Sequence, residues 1–159
     1  MMMFCPPLEV SKTGKFPFSK SKSFPGQYES LERIDNFVRK IAQIAGFDNF
    51  AVYSIEMAVD EACSNIIEHA YEGEGKGNIA CTCTVNENSL TIILRDRGKP
   101  FDPAQVPPPN LSKDLEEREA HGLGLYFILK WMDEVHFNNS QSENTLTMVK
   151  RKKSGNEHE

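Results

Sequence analysis

The apolar residues of this chain change period once, and that change limits what it can fold into. Leu31, Ile34, Phe37, Val38, Ile41, Ile44 and Ala45 recur every three or four positions. Val52, Ile55, Val59, Ala62, Ile66 and Ile67 repeat the pattern between Asn49 and Ala70. Such spacing lines one face of a helix, and Gly46 supplies a stop between the two. After the turn cluster Gly73-Glu-Gly-Lys-Gly77 the period falls to two. Asn78–Val85 and Ser89–Arg95, joined across Asn86-Glu-Asn88, read as a β-hairpin.

The flanks extend this plan. Phe16 to Phe24 alternates well enough for an edge strand, which Pro25-Gly26 ends. Gly122–Trp131 reads as a helix, and Val135–Asn138 with Thr145–Lys150 as a closing strand pair. Helices grouped apart from strands joined by short turns predict an α+β fold. The expected form is a two-layer sandwich, a mixed but mainly antiparallel sheet with its helices on one face. A length of 159 residues fits one domain. The expected organisation is an N-terminal extension over 1–23, partly disordered or forming the edge strand, a folded domain over 24–151, and a solvated tail over 152–159. From Gly98 to about Ala120 runs an irregular tract holding Pro100, Pro103 and Pro107-Pro-Pro109. A connection of that length implies a functional loop or disorder.

The net charge of −5 argues against binding nucleic acid through the whole surface. No apolar stretch approaches the roughly 20 residues of a membrane-spanning helix. Met1-Met-Met-Phe-Cys-Pro-Pro7 lacks the charged start and apolar run of a secretory signal. A cytoplasmic location is expected. Cys81 and Cys83 alternate with threonines, so they share a strand face, and no second ligand pair accompanies them. The cysteines therefore read as structural.

Three short blocks carry the chemistry. In the second helix Glu61 and Asn65 are four apart and share a face, with Glu68 and His69 one turn on. An Asn oxygen is a suitable hard ligand for Mg²⁺, which takes few protein ligands. A carboxylate one turn away can take the proton of an attacking hydroxyl. After the strand Leu90–Leu94 comes Asp96-Arg-Gly98. An Asp at a strand end can accept from a base's exocyclic amine, and a following Gly admits a close backbone approach. Third, Gly122-Leu123-Gly124-Leu125 opens a helix, where exposed N–H groups and the helix dipole favour an anion. Each block alone also has a plain reading: a solvated helix face, a turn, a glycine-softened helix start.

In this order and spacing the blocks resemble the GHKL (Bergerat-fold) ATPase and kinase superfamily, and within it the anti-sigma factor serine kinases of the RsbW and SpoIIAB type. Glu61-Ala-Cys-Ser-Asn65-Ile-Ile-Glu-His69-Ala-Tyr71 is similar to that family's N box. Asp96-Arg-Gly98-Lys-Pro-Phe-Asp-Pro103 is similar to its adenine-binding box, and His121-Gly-Leu-Gly-Leu125 to its second glycine box. The resemblance spans about residues 24 to 151.

It implies a Bergerat ATP-binding fold, with ATP and Mg²⁺ as cofactors. Asn65 would hold the metal and Glu61 would be the general base. Asp96 would take the adenine amine, with Gly98 permitting the approach. Gly122, Leu123, Gly124 and Leu125, at the start of their helix, would bind phosphates. Thr145 would assist the adenine site, with Thr147 as the rival alignment, and His69 would sit near the nucleotide. Arg118 either reaches a phosphate or is a solvated charge. His121 stands where members of this type often carry Gly, and either stiffens a loop hinge or touches a phosphate. The tract from Pro103 to Ala120 would be a mobile lid.

The activity implied is ATP-dependent serine/threonine phosphorylation of a small anti-sigma factor antagonist, with a sigma factor as a second partner and a homodimer as the assembly. The alternative is a nucleotide-gated protein-binding module with little or no kinase activity. About 48 residues precede the N-box helix and hold no histidine, which disfavours a sensor histidine kinase.

Overall fold

The computed structural model describes residues 16–100, 120–140 and 142–153. Five strands, β1 (Phe18–Pro25), β2 (Asn78–Val85), β3 (Ser89–Asp96), β4 (Glu134–Asn139) and β5 (Asn144–Arg151), form one sheet in the order β1-β2-β3-β5-β4. All four pairings are antiparallel, so the sheet is more uniform than the expected mixed one. The helices are α1 (Leu31–Ala45), α2 (Asn49–Asn65) and α3 (Ala120–Trp131). Central α2 packs against both α1 and α3.

Local chemistry accounts for the helix boundaries. Gly46, at φ +99°, caps α1 in the left-handed conformation and donates its N–H to the carbonyls of Ala42 and Gln43. Two residues later the Asp48 carboxylate accepts from the Ala51 N–H at 2.8 Å and starts α2. α2 does not run unbroken to Ala70 as its pattern suggests. At Ile66 it widens into a π-helical turn, Ile66–Ala70, in which the Tyr71 N–H reaches back to the Ile66 carbonyl at 2.9 Å.

One face of the sheet makes the core. Cys81, Cys83, Ile92, Leu94 and Met148 are fully buried, against Ile34 and Val38 of α1 and Ile55 and Val59 of α2. Burial drives the Cys63 thiol well above its usual range, and a hydrogen bond with Cys81, then burial, does the same for Cys83, so neither is poised to react. The opposite face carries hydroxyl pairs across β1 and β2, Ser19 with Thr84 at 2.7 Å and Ser21 with Thr82 at 2.8 Å. The strand β1 crosses the boundary expected at 23/24, so residues 18–23 are part of the sheet. It protects its edge with exposed Lys20 and Lys22. The first 15 residues, the tract at 101–119 and the tail from 154 lie outside the described residues.

Two polar features tie the layers together. Buried Tyr71 donates its hydroxyl to the Asn78 carbonyl at 2.7 Å and accepts from the Arg97 N–H at 3.0 Å, joining the end of α2 to β2 and β3. Between α1 and α2, Asp35 hydrogen-bonds Asp60, a contact that needs a proton on one of the two carboxyls. No conventional donor reaches the buried Oδ1 of Asp35. Burial, then the Asp60 and Glu56 charges, push Asp35 up to about 7, opposed by Arg39, which itself grips Glu56 through Nε at 2.8 Å and through Nη2 at 3.0 Å.

Removing the hydroxyl in Tyr71→Phe leaves an N–H and a carbonyl unpaired, and should cost about 1–3 kcal/mol by urea unfolding; an unchanged midpoint would refute the role. A carboxyl whose pKa is raised in the folded state stabilises the fold while protonated and loses that contribution as pH rises through the folded value. The urea midpoint should therefore fall as pH rises from about 5 to 8, and Asp35→Asn should flatten that slope.

Candidate functional site

The site is built where the end of β3 meets the π turn that ends α2. The alternation that buries Leu94 also places Asp96 on the helix side of the sheet, only 6% exposed. The chain then turns over the end of α2. Lys99 donates its N–H to the Ala70 carbonyl at 2.8 Å. A Cβ on Gly98 would lie 2.4 Å from that same carbonyl oxygen, so only glycine fits. The close approach expected of Gly98 is thus made first to the protein's own backbone.

The Asp96 carboxylate is held on one side. Its Oδ1 accepts from the Gly98 N–H and from Nδ2 of Asn144, both at 2.8 Å. Asn144 is itself buried, and its Nδ2 is also 3.0 Å from the carbonyls of Gly98 and Lys99. One amide group therefore fixes both the carboxylate and the turn that follows it. Burial raises the Asp96 pKa; the Asn144 and Gly98 hydrogen bonds pull it back, and Glu143 adds a smaller upward push. Among the described residues both fixing bonds fall on Oδ1, which leaves Oδ2 for a donor on a ligand.

Around Asp96 lies a cleft with a cavity volume of about 80 Å³. Its walls are apolar: Ile66 from the π turn, Leu125 and Ile128 from α3, Phe137 from β4 and Leu146 from β5. Asn65 and His69 bring polar groups from α2. This volume, bounded by the described residues, is well below the roughly 300 Å³ of a small-molecule site. A flat heterocycle with an exocyclic amine suits the buried carboxylate and its apolar walls. The amide oxygen of Asn65 suits a hard divalent ion whose other ligands are phosphates and water. The residues present thus fit a metal–nucleotide pair.

Glu61 stands one turn before Asn65 on α2, outside the cavity lining. Burial raises its pKa, and the Asp60 and Glu68 charges add to this. A carboxylate so shifted is a better proton acceptor near neutral pH.

The structure brings Asn65, His69, Asp96 and Leu125 together and sets Gly98 beside them. Thr145 adjoins the cleft, but its register pairs it with Arg95 and Asn138 on the open face of the sheet. Thr147 lies on that face too, opposite Ile93 and His136. The residue across from Asp96 is Asn144, with Thr145 the next position along β5. The alternation Asn144, Leu146, Met148 already carried that signal. His121, Gly122, Leu123 and Gly124 lie in the first turns of α3, which starts at Ala120 rather than at Gly122. Arg118 lies outside the described residues.

Residues 24–150 match the family described as the histidine kinase-like ATPase domain. The chain is 32% identical over 126 residues to a serine-protein kinase RsbW of Bacillus cereus (strain AH820), covering 77% of this chain and 78% of the relative. An RsbW of Bacillus anthracis matches to the same extent. A crystal structure of the RsbU and RsbW domains of a Mycobacterium tuberculosis protein superposes with a TM-score of 0.60 at 18% identity. That match covers 84% of this chain and 32% of the other, and shows a shared fold.

Asn144→Ala should loosen Asp96 and raise its pKa further, because the donor that stabilises the charged form is lost. Adenine-nucleotide affinity should then drop about tenfold near pH 8, roughly one hydrogen bond to a charged group, and fail at a higher pH than in the wild type. Titration calorimetry across pH checks both, and superimposable pH profiles would count against the assignment.

Proposed function

The chain belongs to the histidine kinase-like ATPase domain family, and we propose that it is an ATP- and Mg²⁺-dependent serine/threonine protein kinase acting as an anti-sigma regulatory factor. Its acceptor would be a small anti-sigma factor antagonist, with a sigma factor as the alternating partner and a homodimer as the working assembly. The observation that carries this reading is the pairing on one helix face of Asn65, which lines the cleft, with Glu61, whose pKa is raised by burial and by two neighbouring carboxylates. Relatives named as serine-protein kinases support it.

In this reading Asp96 selects the nucleotide by accepting from the adenine amine, while Ile66, Leu125, Ile128, Phe137 and Leu146 exclude water from the ring. Asn65 would hold the metal, which would supply charge neutralisation along the phosphates. The first turns of α3, with Gly122 and Gly124, would set the positive end of the helix dipole toward phosphate oxygens. Arg118 and His121 are further candidates for phosphate contact, and His69 borders the nucleotide. Glu61 accepts the acceptor hydroxyl's proton as that oxygen bonds to the γ-phosphorus and the bond to the ADP oxygen breaks.

Incubating the protein with γ-labelled ATP, Mg²⁺ and the small antagonist proteins of the same genome should pass label to a serine or threonine. ATP-dependent binding without transfer would instead favour a nucleotide-gated binding module. Glu61→Gln should keep Mg-ATP affinity within about twofold and lose transfer by roughly 10²–10⁴; undiminished transfer would remove Glu61 from the mechanism.

A further inference from the structure

The outer face of α2 is apolar in a way the core does not need. Phe50 is 61% exposed and Tyr53 55% exposed, and half-buried Met57 follows one turn on. Trp131 of α3 packs edge-on against Phe50 at 5.7 Å, and Leu129 of the same helix is 54% exposed. Positions 50, 53, 57 and 61 are spaced three, four and four, so they run down one helix face. The stripe therefore leads straight to Glu61, roughly 16 Å from Phe50 along the helix axis.

The surroundings of the stripe restrict its occupant. Its far end lies among carboxylates, Asp60 and Glu68, whose charges are felt at Glu61. Glu56, at its side, is already neutralised by Arg39. The exposed apolar area of Phe50, Tyr53 and Leu129 is on the order of 300 Å², well short of the roughly 800 Å² per partner in a stable complex. A transient partner with complementary charge fits better than a permanent dimer.

We propose that Phe50, Tyr53 and Met57 are the docking surface for the phosphate-accepting protein: an apolar segment with a basic flank lies along α2 and presents its Ser or Thr hydroxyl to Glu61. This rests on the kinase reading above and adds where on the molecule the acceptor is held. Aromatic anchors of this kind carry most of the energy of a small interface, whereas the acidic end sets direction and approach.

Tyr53→Glu tests the surface, because the side chain is exposed and the substitution adds a bulky charge without opening the core. Glu87→Lys, in the exposed turn between β2 and β3, is the control. The probes are the purified small antagonist proteins of the same genome, titrated into full-length protein loaded with a non-hydrolysable Mg-nucleotide. Binding of one of them to the wild type should weaken at least tenfold in Tyr53→Glu and stay unchanged in Glu87→Lys, with nucleotide affinity the same in all three. In transfer assays the KM for that acceptor should rise with kcat kept, the reverse of Glu61→Gln. Equal binding by wild type and Tyr53→Glu, or no binding by the wild type, overturns the proposal. So does a wild-type dimer that Tyr53→Glu splits into monomers, since the stripe would then be a seam between copies. Binding that depends on Tyr53 without any transfer upholds the docking surface and sinks the kinase reading. Transfer that ignores Tyr53 does the opposite.

Discussion

The site depends on a backbone joint about one residue wide. The Ala70 carbonyl, at the end of the π turn, receives the Lys99 N–H and rests against Gly98, while Tyr71 receives the Arg97 N–H. These contacts bind the helix that carries Glu61 and Asn65 to the strand that carries Asp96. Without them the two halves would be coupled only through the apolar core, which fixes layers but not the last ångström of a turn. The π turn is part of the same device. By widening, it brings the carbonyl of Ala70 to where a glycine, and no larger residue, can meet it; such turns recur at functional positions for this kind of geometric reason.

Asp96 and Glu61 both have pKa values raised by burial, yet their surroundings fit them to different tasks. Asp96 is compensated by two hydrogen bonds on one oxygen, so burial does not run unopposed and the other oxygen is left as an acceptor. Glu61 has no such counterweight; its further perturbations, from Asp60 and Glu68, all push upward. The first environment holds a carboxylate ready to recognise a donor. The second suits a group that must take a proton near neutral pH. In the proposed mechanism, recognition and proton transfer are thus separated by what surrounds each carboxylate.

Much of this was legible in the sequence. The switch of period marked the two layers, and Glu61, Asn65 and Asp96 stood out by residue type and spacing. What was not legible came from register and from backbone geometry. Asn144 is 48 positions from Asp96, and only the β3–β5 pairing makes them neighbours. Because strand faces alternate, the one-residue step from Asn144 to Thr145 changes the face, although Thr145 still borders the cleft. The π turn left no trace in the pattern, since adjacent Ile66 and Ile67 suit an α-helix as well. The role of Gly98 was read toward the ligand, when its nearest constraint is Ala70.

The acidic seam between α1 and α2 connects fold stability to Glu61, the proposed base. Asp60 sits beside Glu61 in sequence and raises its pKa, while across the seam it shares a hydrogen bond with Asp35 that requires a proton. With that proton in place the pair carries one negative charge rather than two, which spares the buried Oδ1 of Asp35 from being a fully charged atom without a partner. When the proton leaves, the repulsion is felt in two places: the α1–α2 packing weakens, and the field at Glu61 becomes more negative. Rising pH therefore costs stability on the same helix on which it would strengthen the proposed base. An apolar pair at 35 and 60 would make the seam more stable, but it would also remove one of the charges that raise the Glu61 pKa. The seam is thus a place where the electrostatics of the site oppose the stability of the fold.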